Sequence, residues 1–276
     1  MPELPEVETT RRGLVPFMEG KRIAAVQVLR PRMARRNERP EDVVDRLSRR
    51  TLIRLGRHGK FIVGEVEGDL TLIVHLGMSG RMQVDAPSDD RPPHTNVIFL
   101  MDSGVEIRFI DPRTFGFVAV LTPEEFAHSS VSMLGPDALD DLPRSNALAS
   151  VLAGRTVAIK TLLLNQSVIA GLGNIYADEV LCRAGIRPDR PAGSLSGEET
   201  KRLRASIRPV LEAGLRHGGT SLDDLAYLLP DGRAGEYVAR LKVYGRDGLP
   251  CRRCGTPIER MVLGARSSHF CPTCQV

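Results

Sequence analysis

The 276-residue sequence has no tryptophan, and its eight Phe and four Tyr make up only 4% of the chain. Any core is therefore aliphatic, and a hydrophobic content of 42% is enough to build one. No uninterrupted run of about 18 apolar residues occurs, which excludes a membrane-spanning helix. The opening MPELPEVETTRRGL carries acids where a secretion signal needs bases, and it has no apolar centre. These absences predict a cytoplasmic protein with no membrane partner. Cysteine is scarce too: there are five, four of them in the last 26 residues. The scattered pairs that staple small secreted domains are missing, so a disulfide framework is not expected.

Charge is nearly balanced, with 38 Lys and Arg against 34 Asp and Glu, but it is unevenly placed. Residues 30–60 hold eleven basic and four acidic side chains. Residues 85–141 are predominantly acidic, and residues 236–270 return to seven basic against three acidic. Basic segments near both ends suit a polyanion such as nucleic acid. Arginine-rich runs are also ordinary solvated faces, and charge alone leaves both readings open.

The length fits one large domain or two modest ones. Leu4, Val7 and Leu14 recur at helical spacing, Pro2 and Pro5 are tolerated at a helix start, and Gly20 closes the segment. From Ile23 to about Val120, short runs such as IAAVQVL, KFIVGEV, NVIFLM and VEIRFID alternate with Gly, Asp, Pro and Ser. That texture predicts a β-sandwich or barrel. Thr122 followed by Glu125 is a capping signature, and residues 135–150 read as a linker. Residues 156–184 read as two helices broken at Gly171–Asn174, and residues 196–217 as an amphipathic helix behind a Ser cap. A β-rich tail starts at Tyr237. The fold class is α+β and multidomain: a β domain opened by one helix, then a helical domain ending in a small hairpin.

Cys251-x-x-Cys254 and Cys271-x-x-Cys274 are separated by sixteen residues, the spacing of a zinc ribbon. Four thiolates fill a tetrahedral ion and make a closed, structural site. Two unrelated thiol pairs are the competing reading. The segment between them reads as a hairpin turning at Gly264, so Arg266 projects from its tip. A cation there suits a phosphate, or is simply an exposed arginine; the motif does not choose. Cys182, in the apolar run VLCRAG, reads as a small buried residue.

At the other end, removal of Met1 would leave the Pro2 nitrogen as a secondary amine. α-Amino groups titrate near about 7.7–8.0, so a useful fraction is neutral and able to attack a sugar C1′, forming an iminium. Glu3 and Glu6 share the first helical turn. Acids are what a helix N-terminus prefers; in a cleft they would also move protons around the sugar.

Several motifs resemble one family. Residues 1–8 (MPELPEVE), GRHGKF around Lys60, HLGMSGRM at 75–82 and DPRTFGF at 111–117 resemble the formamidopyrimidine-DNA glycosylase family. So do NQSVIAGLGNIYADEVL at 165–181, VYGRDGLPC at 243–251 and ARSSHFCPTCQ at 265–275. They run from end to end in the family's order. The resemblance implies a base-excision-repair glycosylase and AP lyase that removes 8-oxoguanine and formamidopyrimidines from duplex DNA, then cleaves the strand by β,δ-elimination. It implies an N-terminal β-sandwich catalytic domain over residues 1–132 and a hinge at 133–150. A helix–two-turn–helix DNA-binding domain at 151–235 and a zinc-finger hairpin at 236–276 complete the layout. It further implies one structural Zn2+, no small-molecule cofactor, damaged double-stranded DNA as partner, a monomer, and a cytoplasmic, nucleoid-associated setting of bacterial type.

Carried over position by position, Pro2 resembles the nucleophile, Glu3 the general acid/base, Glu6 a second carboxylate near the sugar, and Lys60 the proton donor for β-elimination. Arg266 resembles the finger arginine that clamps phosphates and takes part in δ-elimination. Met78, Arg113 and Phe115 match the residues that fill the gap left by a flipped base; an apolar wedge and an arginine suit that task. The competing reading puts Met78 and Phe115 in the core and pairs Arg113 with Asp111. His75, His94, Arg155, Lys160, Asn174 and Tyr244 match DNA-contacting positions. Residues 218–237, rich in Gly and Asp, resemble a loop that closes over the extruded base. Thr114, Thr156 and Ser268 depart from residues common in the family, and none is in the catalytic set.

Two other readings remain. Endonuclease VIII shares the fold and nucleophile but removes oxidised pyrimidines, opens with PEGPEI rather than PELPEV, and lacks the D-P-R-x-F-G turn. A non-catalytic protein that binds distorted duplex would keep the finger and Asn174, but would not need Pro2, Glu3, Glu6 and Lys60 together.

Overall fold

Glu3 and Glu6 start the first helix, α1 (Leu4–Met18), by capping each other. Glu6 Oε2 accepts the Glu3 N–H at 2.8 Å, and the Glu3 carboxylate accepts the Glu6 N–H in return. Val7, Leu14 and Met18 lie on one helical face and are fully buried in the core. Gly20, at φ +68°, turns the chain into the sheet. The computed structural model describes residues 2–222 and 227–276. Two compact units emerge: Met1–Met133 with His217–Val238, and Leu134–Arg216 with Ala239–Val276.

The first unit contains β1 (Lys21–Val28), α2 (Glu41–Leu47), β2 (Arg50–His58), β3 (Phe61–Val66), β4 (Leu70–His75), β5 (Arg81–Asp85), β6 (Thr95–Met101), β7 (Glu106–Ile110), β8 (Phe117–Leu121) and α3 (Pro123–Ala127). The eight strands form one antiparallel sheet in the order β5-β7-β6-β1-β2-β3-β4-β8. Its two ends share one core, in which Met82 and Phe109 join Val118 and Val120. A Cβ on Gly116, just before β8, would stand 2.6 Å from the Phe109 ring of β7. The sheet thus folds over itself as the expected sandwich. The expected run of strands is interrupted by α2, which lies in the basic stretch. Asp42 opens it, accepting the Arg39 N–H at 3.0 Å and the Arg39 guanidinium at 2.8 Å.

In the second unit α4 (Ser145–Leu152), α5 (Ile159–Leu163), α6 (Asn174–Ala184) and α7 (Gly197–Arg216) precede the hairpin β9 (Glu259–Leu263) and β10 (Arg266–Phe270). Helix α6 starts at the end of the expected Gly171–Asn174 break, but α5 already stops at Leu163, so the break runs over residues 164–173. Helices α6 and α7 cross closely at Gly214, where a Cβ would meet the Tyr176 hydroxyl at 2.5 Å. The expected β-rich tail reduces to β9 and β10. Among the described residues, no helix is long and apolar enough to cross a membrane.

The sequence reading carries the helical domain to residue 235, but the chain returns to the first unit at His217. Gly218 and Gly219, both at positive φ, end α7, and Glu6 Oε1 then accepts the Thr220 N–H at 2.7 Å. Of the expected lid at 218–237, residues 223–226 lie outside the described residues.

Helix α7 has the expected cap: Ser196 Oγ accepts the Glu199 N–H at 3.2 Å, and Glu199 accepts the Ser196 N–H at 2.8 Å. The Arg190 guanidinium, with these bonds, holds the Glu199 carboxyl at about 2, against an ordinary 4.5. A carboxyl depressed on folding stabilises the fold above its unfolded pKa and loses that contribution as pH falls through its folded one. Glu199→Gln is therefore expected to flatten the fall of thermal stability between about pH 4.5 and about pH 2. A melting series showing the same slope in both proteins would contradict this.

Candidate functional site

Pro2 is buried at the start of α1. Glu3 and Glu6 are each 1% exposed. The Glu6 carboxylate is committed to backbone N–H groups on both sides, Glu3 and Thr220. The Tyr227 hydroxyl reaches the Glu6 carbonyl at 3.3 Å. Glu6 therefore organises the N-terminus, which favours its helix-capping reading. Beside it, Glu8 pairs with Arg11, Arg12 and Arg57 at 2.8, 2.7 and 3.2 Å. Burial pushes the Glu8 carboxyl up, and Arg11, Arg12 and Arg57 outweigh that and hold it below its ordinary value.

Lys60 follows Gly59 (φ +56°) in the β2–β3 turn and is 8% exposed. The pairings Phe61↔His75 and His75↔Phe117 bring three rings together across β3, β4 and β8. His75 lies 4.6 Å from Phe61 and 5.7 Å from Phe117 between ring centroids. Burial first, then the Lys60 charge and Arg35 and Arg36, push the His75 imidazole down to about 4. The Gly77 N–H donates to His75 Nδ1 at 3.1 Å, so the neutral ring carries its proton on Nε2.

Met78 and the Arg113–Phe115 turn sit on adjoining loops. Asp111, fully buried, joins them. Its Oδ1 accepts from the Ser79 hydroxyl at 2.7 Å and the Arg113 N–H at 3.2 Å, and its Oδ2 accepts the Gly116 N–H at 2.8 Å. The loops touch so closely that a Cβ on Gly77 would lie 2.4 Å from the Gly116 nitrogen. Phe115 is 43% exposed and Met78 half-buried, so neither is a core residue. Arg113 meets Asp111 through its backbone N–H, while its exposed guanidinium lies 4.8 Å over the Phe115 ring. His94 is exposed at φ +65° and its carbonyl accepts the Asp111 N–H.

In the second unit, Asn174 opens α6 and its side-chain amide lies 3.4 Å from the Ser267 hydroxyl. Arg266 is exposed at the first position of β10, after the Gly264–Ala265 turn, both residues at positive φ. Arg155 is exposed, and Tyr244 is half-buried with its ring edge-on to His269 at 5.1 Å. Lys160 departs from expectation. It is 1% exposed and its ammonium sits 2.7 Å from Asp178 Oδ1 and 2.6 Å from the Ser267 carbonyl. Asp178 also accepts the His269 N–H at 2.9 Å. A cation buried in this way does not reach a phosphate; it ties α5 and α6 to the finger strand that carries Arg266. Glu179, equally unforeseen, accepts the N–H groups of Lys242, Val243 and Tyr244, and burial raises its carboxyl above the ordinary range despite them.

Removing one partner of such a buried pair leaves the other charge uncompensated. Lys160→Met is expected to destabilise the fold by about 3–5 kcal/mol in denaturant unfolding. A change below about 1 kcal/mol, the size of a surface pair, would show that the pair is not what joins helix and finger.

The four sulfurs of Cys251, Cys254, Cys271 and Cys274 all lie within 4.8 Å of one another. Tetrahedral zinc–thiolate bonds of about 2.3 Å put sulfurs roughly 3.8 Å apart, so the donor set fits one zinc ion. Backbone N–H groups of Arg253 and Cys274 point at the Cys251 and Cys271 sulfurs, each at 3.4 Å. Protein fills all four positions, so the zinc is structural.

Residues 1–118 match the Formamidopyrimidine-DNA glycosylase N-terminal domain, residues 134–225 its H2TH domain, and residues 248–276 the zinc finger found in FPG and IleRS. The formamidopyrimidine-DNA glycosylases of Corynebacterium jeikeium and Gluconobacter oxydans are 42% and 43% identical to the chain, with complete coverage on both sides. The MutM (FPG) protein of Thermus thermophilus superposes with a TM-score of 0.88 at 38% identity, over 99% of this chain and 98% of that one. A Lactococcus lactis FPG variant in complex with Fapy-dG-containing DNA gives 0.90 at 32% identity, over 99% of both chains. Sandwich, helical unit and four-cysteine finger together define a zinc-finger DNA-repair glycosylase. The chain belongs to the formamidopyrimidine-DNA glycosylase family.

Proposed function

We propose that this enzyme removes oxidised purines, 8-oxoguanine and formamidopyrimidines, from duplex DNA and then opens the strand by β,δ-elimination. The observation that carries the reading is the buried Pro2–Glu3–Glu6 start of α1, where the potential amine stands next to a carboxylate held in place by its cap. The Lactococcus lactis relative bound to Fapy-dG DNA supports the substrate class.

The Pro2 nitrogen, freed by loss of Met1, attacks C1′ as the bond to the base breaks, and the base leaves with a proton. Glu3 protonates the ring oxygen as the sugar opens, leaving an iminium on Pro2. Loss of a C2′ proton expels the 3′ phosphate, and loss of a C4′ proton then expels the 5′ phosphate, with Lys60 and Arg266 serving these two steps. Met78, Arg113 and Phe115 occupy the space of the extruded nucleotide; extrusion costs a few kcal/mol. Asn174, at the start of α6, offers N–H groups and a positive helix end to a phosphate. Arg155, His75, His94 and Tyr244 add polar contacts to the backbone. The enzyme acts as a monomer in the cytoplasm.

A Lactococcus lactis Fpg complex with oxidised-pyrimidine DNA favours a second, wider reading in which such lesions are also accepted. Cleavage of matched duplexes separates the possibilities. 8-Oxoguanine opposite cytosine is expected to be cut faster, leaving phosphates on both ends of the gap. The reverse preference would indicate an endonuclease VIII-like enzyme, and tight binding without cleavage of either would indicate a recognition protein.

A further inference from the structure

The eleven basic residues of segment 30–60 include one whose contacts set it apart. Arg35 lies just past a single 3-10 turn at Pro31–Ala34 and reaches across to the DPRTFG turn. Its guanidinium donates to the Gly116 carbonyl at 2.6 Å, to the Phe115 carbonyl at 2.8 Å and to the Arg32 carbonyl at 2.9 Å. It also lies 5.4 Å over the Phe117 ring. We propose that Arg35 is a positioning residue that shapes the 113–116 turn and so presents Phe115 and Arg113 ready-formed to the duplex. The proposal rests on the wedge role assigned above to these two residues.

Thr114 stands at φ +51°, a left-handed conformation that a β-branched residue adopts only when its surroundings impose it. On one side Asp111 collects N–H groups from Arg113 and Gly116. On the other, the carbonyls of Phe115 and Gly116 are gathered by Arg35. A carboxylate on the donors and a guanidinium fork on the acceptors hold the short turn from both sides. Phe115 itself stays out in solvent, which is what an inserting wedge requires. A turn fixed beforehand does not have to be ordered when DNA binds, so the ring enters the stack without that entropic loss.

Arg35 also lies in the most basic part of the chain, and a simple phosphate contact would be the electrostatic alternative. The two roles differ in what Lys can replace. A single ammonium keeps the charge but lacks the planar fork whose separate nitrogens meet the Gly116 and Phe115 carbonyls in fixed geometry. Single-turnover excision of 8-oxoguanine opposite cytosine should therefore fall about tenfold in both Arg35→Met and Arg35→Lys, in line with loss of charge-assisted bonds. Cleavage at a preformed abasic site, where no base has to leave the stack, should change less than about twofold. The salt dependence of duplex binding should keep its slope in Arg35→Lys and Arg35→Met alike, whereas a lost phosphate contact lowers it by about 1. Thermal melts of all variants confirm that each is folded at the assay temperature.

Wild-type excision by Arg35→Lys, or an equal fall at the abasic site, would overturn the positioning role. Phe115→Ala serves as the separate control. If it excises 8-oxoguanine at the wild-type rate, the wedge reading itself fails. If it slows excision while Arg35→Met does not, only the role of Arg35 fails.

Discussion

Pro2→Gly is expected to bind damaged duplex with nearly the parental affinity and to cleave it at least about a thousandfold more slowly, the scale on which loss of a nucleophile is felt. Glycine still offers an amine, but a primary one. A secondary amine gives an iminium that stays positively charged once formed, and that charge is the electron sink for both eliminations. A primary amine gives an imine that sheds its proton and the sink with it. The ring also fixes φ at the first turn, where glycine adds backbone freedom just before the Glu3–Glu6 cap. The affinity should change less than about threefold, because phosphate contacts come from other residues. Pro2→Gly cleaving at the parental rate would show that the eliminations do not need the permanently charged iminium of a secondary amine.

Stripping the zinc is expected to weaken duplex binding by at least about a hundredfold, through loss of several phosphate contacts at once. The metal takes part in no bond-making step. Its four thiolates hold a unit whose buried apolar residues are few: Val243 and Ile258 pack on Cys251 and Cys271, with the half-buried Cys182 and Cys274 beside them. A two-stranded hairpin with so little beneath it is not stable alone. Lys160 and Asp178 still grip Ser267 and His269 of β10, but nothing then holds the Gly264–Ala265 turn that presents Arg266. Re-addition of zinc should restore binding. Unchanged affinity after complete removal would mean that the finger is not a DNA-contacting element.

Legibility in the sequence followed the range of the interactions. Local devices were visible: the Thr122 and Ser196 caps, the start of α6 after Gly171–Gly173 and the Gly264 turn all act over four residues or fewer and appear where expected. The cysteine spacing was equally plain, since two thiols three apart already specify half a metal site. Long-range pairings left no such mark. Arg35 meets residues 80 and 81 positions away, and among eleven cations in its segment nothing in the spacing singles it out. Lys160 was expected at a DNA-contacting position, and its burial left no mark in the sequence because its partner Asp178 is on another helix and its acceptor Ser267 is 107 residues distant. The return of residues 217–238 to the first unit depends on Glu6 receiving the Thr220 N–H, a bond spanning 214 positions. Helix α2 was hidden because it is only seven residues long and its apolar positions, Val43, Val44 and Leu47, are too few to show a helical period inside a charged, mostly basic segment.

Borohydride trapping addresses the central claim most directly. The intact protein would be incubated with a duplex carrying 8-oxoguanine opposite cytosine, reduced, digested and mapped. The account predicts a covalent protein–DNA adduct whose attachment point is the Pro2 nitrogen. An adduct on a lysine, or cleavage of the duplex without any trapped species, would contradict it.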